Sequence, residues 1–303
     1  MAPDEEQFSF CAKREKEANC DQPQSNDVVR PRVSHSGMSR VLIVASLVII
    51  SRAFIGCGVR VDESSTIANG TNTAATQSPA ESGGAVPILL FNGTGTSPND
   101  VAAVQKILNG NHVNYSIVNS SQLNKMGVSQ LHEYRLLIVP GGNFIEIGNS
   151  LTSNTAANIR NAVQNGLNYF GICAGAFLAG NSVSNGLNLT SGVRFGFYAA
   201  EGQGIRKAAV PIAVAGAPTL EHYWEDGPEL TGWGAIVGKY PDGTPAIVQG
   251  TYGNGQVILS GIHPEAPANW RRGMTFATPA SVDNAYAWTL IQAALNRESL
   301  RHY

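Results

Sequence analysis

The feature that most constrains this chain is an alternation, starting at residue 86, of short unbroken apolar runs with segments of helical spacing. Residues 86–91 (VPILLF) make one such run and end in the turn NGTGTSP. Over 99–109 the residues Val101, Val104, Ile107 and Leu108 then recur at helical intervals. Residues 112–118 supply a second strand and 120–126 a turn of helix. Residues 134–139 (YRLLIV) supply a third strand, stopped by Pro140-Gly141-Gly142-Asn143. Helical spacing returns over 152–165 through Ala156, Ile159, Ala162 and Val163, and 168–172 is the next strand. Strands apolar along their whole length are buried on both faces. The pattern therefore predicts a three-layer α/β sandwich around a mainly parallel central sheet. Past residue 183 the apolar period shortens to about two and turn residues multiply, which predicts an antiparallel extension in the C-terminal half before a helix over 282–297.

The residues before 86 do not share this pattern. Residues 1–37 are charged, glutamine-rich and poor in aliphatics, and cannot bury enough apolar surface to offset their ordering entropy. They read as a disordered leader or as the result of a mis-assigned start. From Met38 a short cationic lead, the apolar run of residues 41–50 and the closing Phe54-Ile55-Gly56-Cys57 form a secretory signal over 38–57 with a lipoprotein-like box, in which Cys57 is the candidate for lipidation. The run is too short to span a hydrocarbon core of ~30 Å, which takes about 20 residues. Residues 58–85, rich in Ser, Thr, Asn and Gly, read as a flexible linker. One domain over 86–298 and a short tail, 299–303, remain. The expected location is extracytoplasmic, with membrane contact through a lipid anchor on a bacterial envelope, and cytoplasmic if the leader is no signal.

Composition narrows the partners. The 303 residues carry 20 Lys plus Arg against 22 Asp plus Glu, a net charge of -2. No basic footprint for a phosphate backbone exists in that balance, so nucleic acid is excluded as an expected partner.

The chemistry converges on Gly171-Ile172-Cys173-Ala174-Gly175. A nucleophile at the tip of a strand needs a sharp strand-to-helix turn, with small residues two before and two after it. Gly171 and Gly175 meet that demand, and Cys173 stands at the positive end of the following helix, where the reactive thiolate is favoured. Read alone, Cys173 serves equally well as a small buried hydrophobe. Downstream, NGQVILSGIHPE is a strand whose end delivers His263 and, two residues on, Glu265. Spacing of i, i+2 in extended backbone puts both side chains on one side, so Glu265 can brace His263 as base. His35, His112, His132, His222 and His302 have no such partner in sequence. Pro140-Gly141-Gly142 leaves a neighbouring strand end, and the Gly142 and Ala174 N–H groups are candidates for an oxyanion hole. Gly141 and Asn143 in that turn, and Tyr223 and Trp224 in the segment YWED, are candidate substrate-binding residues, although a hairpin turn is the plainer role for YWED.

The order Pro-Gly-Gly, Gly-Ile-Cys-Ala-Gly and His-Pro-Glu, one per strand end, resembles the class I glutamine amidotransferases. Within that superfamily the chain is most similar to the domain found at the N-terminus of eukaryotic biotin-protein ligases and as stand-alone bacterial proteins. The stretches ILLFNGTGTS, LLIVPGGN, FGICAGAFLAG, HYWEDGPEL and PDGTPAIVQGTYGNGQVILSGIHPE carry the likeness. The resemblance implies a flavodoxin-like amidotransferase fold with Cys173 as nucleophile, His263 as base and Glu265 as its orienting partner, and neither metal nor cofactor.

Two departures shape the expected function. Nothing after residue 298 could hold a ligase domain and no glycine-rich arginine motif for a biotinyl-adenylate is present, so biotin ligation is not expected. Ammonia from glutamine is useful only to an attached or partner synthase, which an exported lipoprotein would lack. The expectation is therefore a cysteine-dependent hydrolase acting on a small-molecule or peptide amide. The competing expectation is a non-catalytic ligand-binding or regulatory module that retains the shape.

Overall fold

The computed structural model describes residues 86–303. Strand β1 (Ile88–Phe91) is followed by α1 (Pro98–Gly110), β2 (Tyr115–Val118), the short helices α2 (Ser120–Leu123) and α3 (Val128–Leu131), and β3 (Leu136–Val139). Then come α4 (Phe144–Ser150), α5 (Ser153–Gln164), β4 (Asn168–Ile172) and α6 (Ala174–Ala179). The C-terminal half contains β5 (Gly196–Phe197), α7 (Ala199–Gly202), β6 (Lys207–Val214), β7 (Leu220–Glu225), β8 (Pro228–Glu229), β9 (Ala235–Lys239), β10 (Pro245–Tyr252), β11 (Gly255–Ser260) and α8 (Ala280–Asn296).

Nine strands form one sheet in the order β2-β1-β3-β4-β11-β10-β9-β6-β7. The pairs β1/β2, β1/β3, β3/β4 and β4/β11 are parallel, which is the doubly wound order of flavodoxin-like folds. Strands β11, β10, β9, β6 and β7 pair antiparallel in turn. The expected parallel core with an antiparallel extension is thus what the chain forms.

The layers follow from the period of two along the strands. Leu89, Phe91, Leu137, Val139, Tyr169 and Leu259 pack on one face with Phe144, Ile147, Ile159 and Phe177 of α4, α5 and α6. Ile88, Leu90, Leu136, Ile138, Phe170 and Ile258 face the other side, against Val101, Val104 and Leu108 of α1 and Leu290, Ile291 and Ala294 of α8. Both faces are covered, which is why these strands read as continuous apolar runs.

Sequence spacing misses α3 and α4, each shorter than the window in which a helical period is visible. Residues 299–303, expected as a tail beyond the domain, lie against the sheet: Leu300 N–H donates to Gln249 Oε1 at 2.8 Å and Tyr303 N–H to the Ile236 carbonyl at 2.9 Å. The expected leader, signal, Cys57 and linker lie outside the described residues. Among the described residues no helix is long and apolar enough to cross a membrane.

Candidate functional site

Strands β1, β3, β4 and β11 are parallel neighbours, so the turns leaving their C-terminal ends meet along one edge of the sheet. The turn after β1 and the turn after β3 are stitched together: Asn143 N–H donates to the Gly95 carbonyl at 2.8 Å and Ser97 N–H to the Gly141 carbonyl at 3.0 Å. Gly142 sits at φ +138°, and a Cβ there would stand 2.1 Å from the Gly95 oxygen. Only glycine permits this approach.

After β4 the chain turns sharply. Cys173 has φ +48° and ψ -104°, a strained conformation for a residue with a Cβ. Its N–H donates to the Ser260 carbonyl at 2.8 Å, extending the pairing with β11 and fixing the turn against it. The small residues two before and two after have the expected purpose: a Cβ on Gly175 would lie 2.0 Å from the Val139 oxygen, and one on Gly171 would lie 2.5 Å from the Gly175 oxygen. Ala174 is the first residue of α6, so its N–H is among those with no acceptor inside the helix.

After β11 the chain places His263 and Glu265 beside Cys173. Glu265 Oε1 accepts from His263 Nδ1 at 2.9 Å, and both side chains are buried. That bond leaves Nε2 as the ring nitrogen that can serve the Cys173 thiol, which His263 draws toward the thiolate. Cys173 Sγ also lies 3.5 Å from the Glu225 carbonyl.

Three residues near His263 are not among the sequence-based candidates. Asp100 Oδ1 lies 3.0 Å from His263 Nδ1. The Trp270 ring meets the His263 ring at a centroid distance of 5.9 Å and 76°. Arg271, next to Trp270, is ion-paired with Asp283 at the start of α8 and so fixes the loop that carries the indole. Asp100 escapes notice because Ser97-Pro98-Asn99-Asp100 reads as an ordinary helix start, with Ser97 capping and an acid in the first turn.

Strand β7 closes the site from the far edge of the sheet. Tyr223 pairs with His263 in an isolated antiparallel bridge, and His263 N–H donates to the Tyr223 carbonyl at 2.8 Å. The end of β7 then brings Glu225 and Asp226 to a cavity of about 250 Å³, which Ser97, Asn99, Asp100, Gly142, Phe144, Cys173 and His263 also line. A wider cavity of about 630 Å³ between Ser120, Lys125 and Glu146 has no Cys or His on its walls.

Not every expected substrate residue reaches this cavity. Gly141 backs onto Asp100 and His263, its would-be Cβ lying 2.2 Å from Asp100 Oδ1. Asn143 is buried and turned away, its Oδ1 accepting from Ile145 N–H at 3.1 Å and Glu146 N–H at 3.2 Å as the cap of α4. Tyr223 stands behind His263 with its hydroxyl on Glu225 Oε2 at 2.5 Å. Trp224 is in the core, edge-on to Tyr198 and donating from Nε1 to the Gly227 carbonyl at 3.3 Å. The YWED segment ends a strand and is not a hairpin turn.

The electrostatics run partly against a ready thiolate. Burial pushes the Cys173 thiol up, His263 draws it back down, and the Asp100 and Asp226 charges raise it again. For His263, burial alone would favour the neutral ring. The charges of Cys173, Glu265 and Asp100 outweigh burial and hold the imidazolium well above the usual histidine value of 6.5. Glu265 is raised by burial and pulled back by His263. Asp100, His263 and Glu265 offer ligand-type atoms within 4.8 Å of one another, although a cation there would have to displace the Nδ1 proton that bonds Glu265.

Comparison with known families gives a partial match. Residues 86–202 match the model described as biotin-protein ligase, N terminal. This is the resemblance carried by the motifs. The biotin-protein ligase N-terminal match covers less than half of the chain; it includes the Pro-Gly-Gly turn and the Cys173 elbow and ends before His263. A search of the curated proteins finds no match. Solved structures of similar shape include a glutamine amidotransferase (20% identity, TM-score 0.46, covering 60% of this chain and 91% of that one). PurLQS from Thermotoga maritima is similar at 16% identity and TM-score 0.46, covering 70% of this chain and 99% of that one. A beta-galactosidase from the haloarchaeon Halorubrum lacusprofundi is similar at 15% identity and TM-score 0.41, covering 69% and 30%. At this level of likeness no reaction carries over from any of them.

Proposed function

We propose that the protein is a cysteine-dependent amide hydrolase of class I glutamine amidotransferase type. The observation that carries this reading is the strained turn at Cys173 facing an imidazole whose other nitrogen is bonded to a buried carboxylate at 2.9 Å. Nucleophile, base and orienting group stand in the order that covalent acyl transfer needs. In the reaction, with the His263 ring neutral and its proton on Nδ1, Cys173 Sγ attacks the amide carbon as its own proton passes to His263 Nε2. The Gly142 and Ala174 N–H groups hold the oxyanion, and Glu265 keeps the proton of Nδ1 in place. The C–N bond breaks as His263 returns the proton to the departing amine. Water, deprotonated by the same nitrogen, then cleaves the thioester to a carboxylic acid and free thiol.

The substrate is a small-molecule or peptide amide, and no step calls for a metal or cofactor. Cys173→Ala should abolish turnover with the fold intact, read as amine release together with the far-ultraviolet spectrum. Persistent turnover in that variant would overturn the mechanism. A lipid on Cys57 would anchor the domain outside the cytoplasm of a bacterial cell; fatty-acid labelling that survives Cys57→Ser would remove that placement.

One observation favours a second reading, a binding or regulatory module. Burial and the anions around Cys173 raise its thiol. A thiol that alkylates only as an ordinary cysteine does, near pH ~8.5, would fit that module better than a hydrolase.

A further inference from the structure

The cavity over Cys173 has walls of two characters. One is aromatic: the Phe144 and Phe177 rings stack with centroids 4.6 Å apart, and Phe177 meets Phe197 at 4.9 Å. The other carries carboxylates, since Asp100, Glu225 and Asp226 all line the cavity and Glu265 stands directly behind His263. Among the lining residues the countercharge comes from His263 alone. His263 serves Asp100 and Glu265 together. Arg206 reaches Asp226 at 3.8 Å but is in closer contact with Glu201. Among the described residues that line the cavity there is no lysine or arginine. The formal balance of the lining side chains is negative.

Asp100 gives an independent sign that a ligand belongs here. It is 6% exposed, it lines the cavity, and its Oδ1 accepts no hydrogen bond. The nearby Nδ1 proton of His263 is directed at Glu265, so Asp100 Oδ1, 3.0 Å from the same nitrogen, meets the ring's charge without a well-aligned donor of its own. A buried carboxylate oxygen without a donor is costly, and a donor from a bound molecule would remove that cost. A cationic donor suits the aromatic wall as well, since ring faces attract cations.

We infer that the cavity takes amides bearing an ammonium or similar cationic group close to the scissile bond, and disfavours a carboxylate in that place. The hydrolytic half of this inference rests on Cys173 being the nucleophile; the charge preference does not. With 5-aminopentanamide, the Sγ–C bond would form as the C–N bond breaks. Ammonia would leave with the proton from His263, and water would release 5-aminopentanoate.

Calorimetric titration of the Cys173→Ser protein with three amides of similar length tests the charge preference. The probes are 5-aminopentanamide, neutral pentanamide and anionic glutaramate. The expected order is cation tighter than neutral by about tenfold, the scale of one partly desolvated charge contact, with the anion weakest. Raised salt and the double variant Glu225→Gln, Asp226→Asn should both shrink that margin, with circular dichroism reporting that the variant is folded. Glutaramate binding as tightly as 5-aminopentanamide, or no binding by any of the three, would overturn the inference. Ammonia release by the wild-type protein is read separately. A cation preference without release leaves the inference standing and contradicts the hydrolase.

Discussion

Asp100 places a carboxylate oxygen 3.0 Å from His263 Nδ1, the same nitrogen that Glu265 already engages at 2.9 Å. A charged ring beside one bracing carboxylate is already electrically balanced while the Cys173 thiol keeps its proton, so forming the thiolate leaves the site one negative charge in excess, and two with Asp100 counted. The second carboxylate competes for the imidazolium and so makes the thiolate harder to form. Asp100→Asn should therefore move the alkylation of Cys173 to lower pH, because the Asp100 charge raises both the thiol and the imidazole. Iodoacetamide rates across the pH range read this directly, and an unchanged or rising midpoint counts against it.

Glu265 holds the Nδ1 proton and Asp100 does not, so the two carboxylates should differ in kinetics. Glu265→Gln should lower kcat by ~10²-fold, within the usual range for losing a positioned acid or base, with KM little altered. Asp100→Asn should change kcat by less than ~10-fold. Equal losses would assign the bracing role to both.

The elbow glycines are tests of packing. A Cβ on Gly175 would stand 2.0 Å from the Val139 carbonyl, a backbone atom that cannot swing aside. Gly175→Ala should cost ~1–3 kcal/mol, the usual range for overpacking. At ~2–4 °C per kcal/mol for a domain of this size, thermal denaturation should show Tm lower by several degrees. Gly110, with nothing within 4 Å of its would-be Cβ and no positive φ, marks open space, and a loss at Gly175 no larger than at Gly110 would contradict the close approach.

Stability should fall as the pH rises. The folded values of His263, Glu265 and Cys173 are all raised, so the folded protein binds more protons than the unfolded one wherever these groups titrate. The His263 contribution is fully present below its unfolded value of about 6.5 and is lost as the pH rises through its higher folded value. Denaturant midpoints between pH 6 and 9 should decline, and His263→Asn should flatten that slope. A midpoint that rises with pH would reverse the sign.

The parallel half of the fold is legible because strands buried on both faces read as unbroken apolar runs, and the Cys173 turn because glycines two before and two after it have a steric cause. His263 and Glu265 are visible as a pair by their spacing, although a turn closed by Ala266 N–H on the His263 carbonyl at 3.2 Å, and not extended chain, brings them together. What escapes depends on long-range closure. Nothing local to Ser97-Pro98-Asn99-Asp100 says that its acid will meet His263, nor that β7, at the far edge of the sheet, will bend back to pair with His263 through Tyr223. The misplacement of Trp224 has a simpler cause. Adjacent residues of a strand point to opposite faces, so Tyr223 and Trp224 cannot both line one site, and Trp224 takes the core. Asn143 is likewise taken up by the helix it caps.

The most direct test of Cys173 as the acyl acceptor is the intact mass of the protein after brief exposure to a panel of cationic, neutral and anionic amides, with rapid acid quenching. The expected result is an acyl adduct on the wild-type chain, mapped to Cys173, absent from Cys173→Ala and longer-lived in Glu265→Gln. Amide turnover in the wild type with no adduct at Cys173, or an equal adduct in Cys173→Ala, would contradict it.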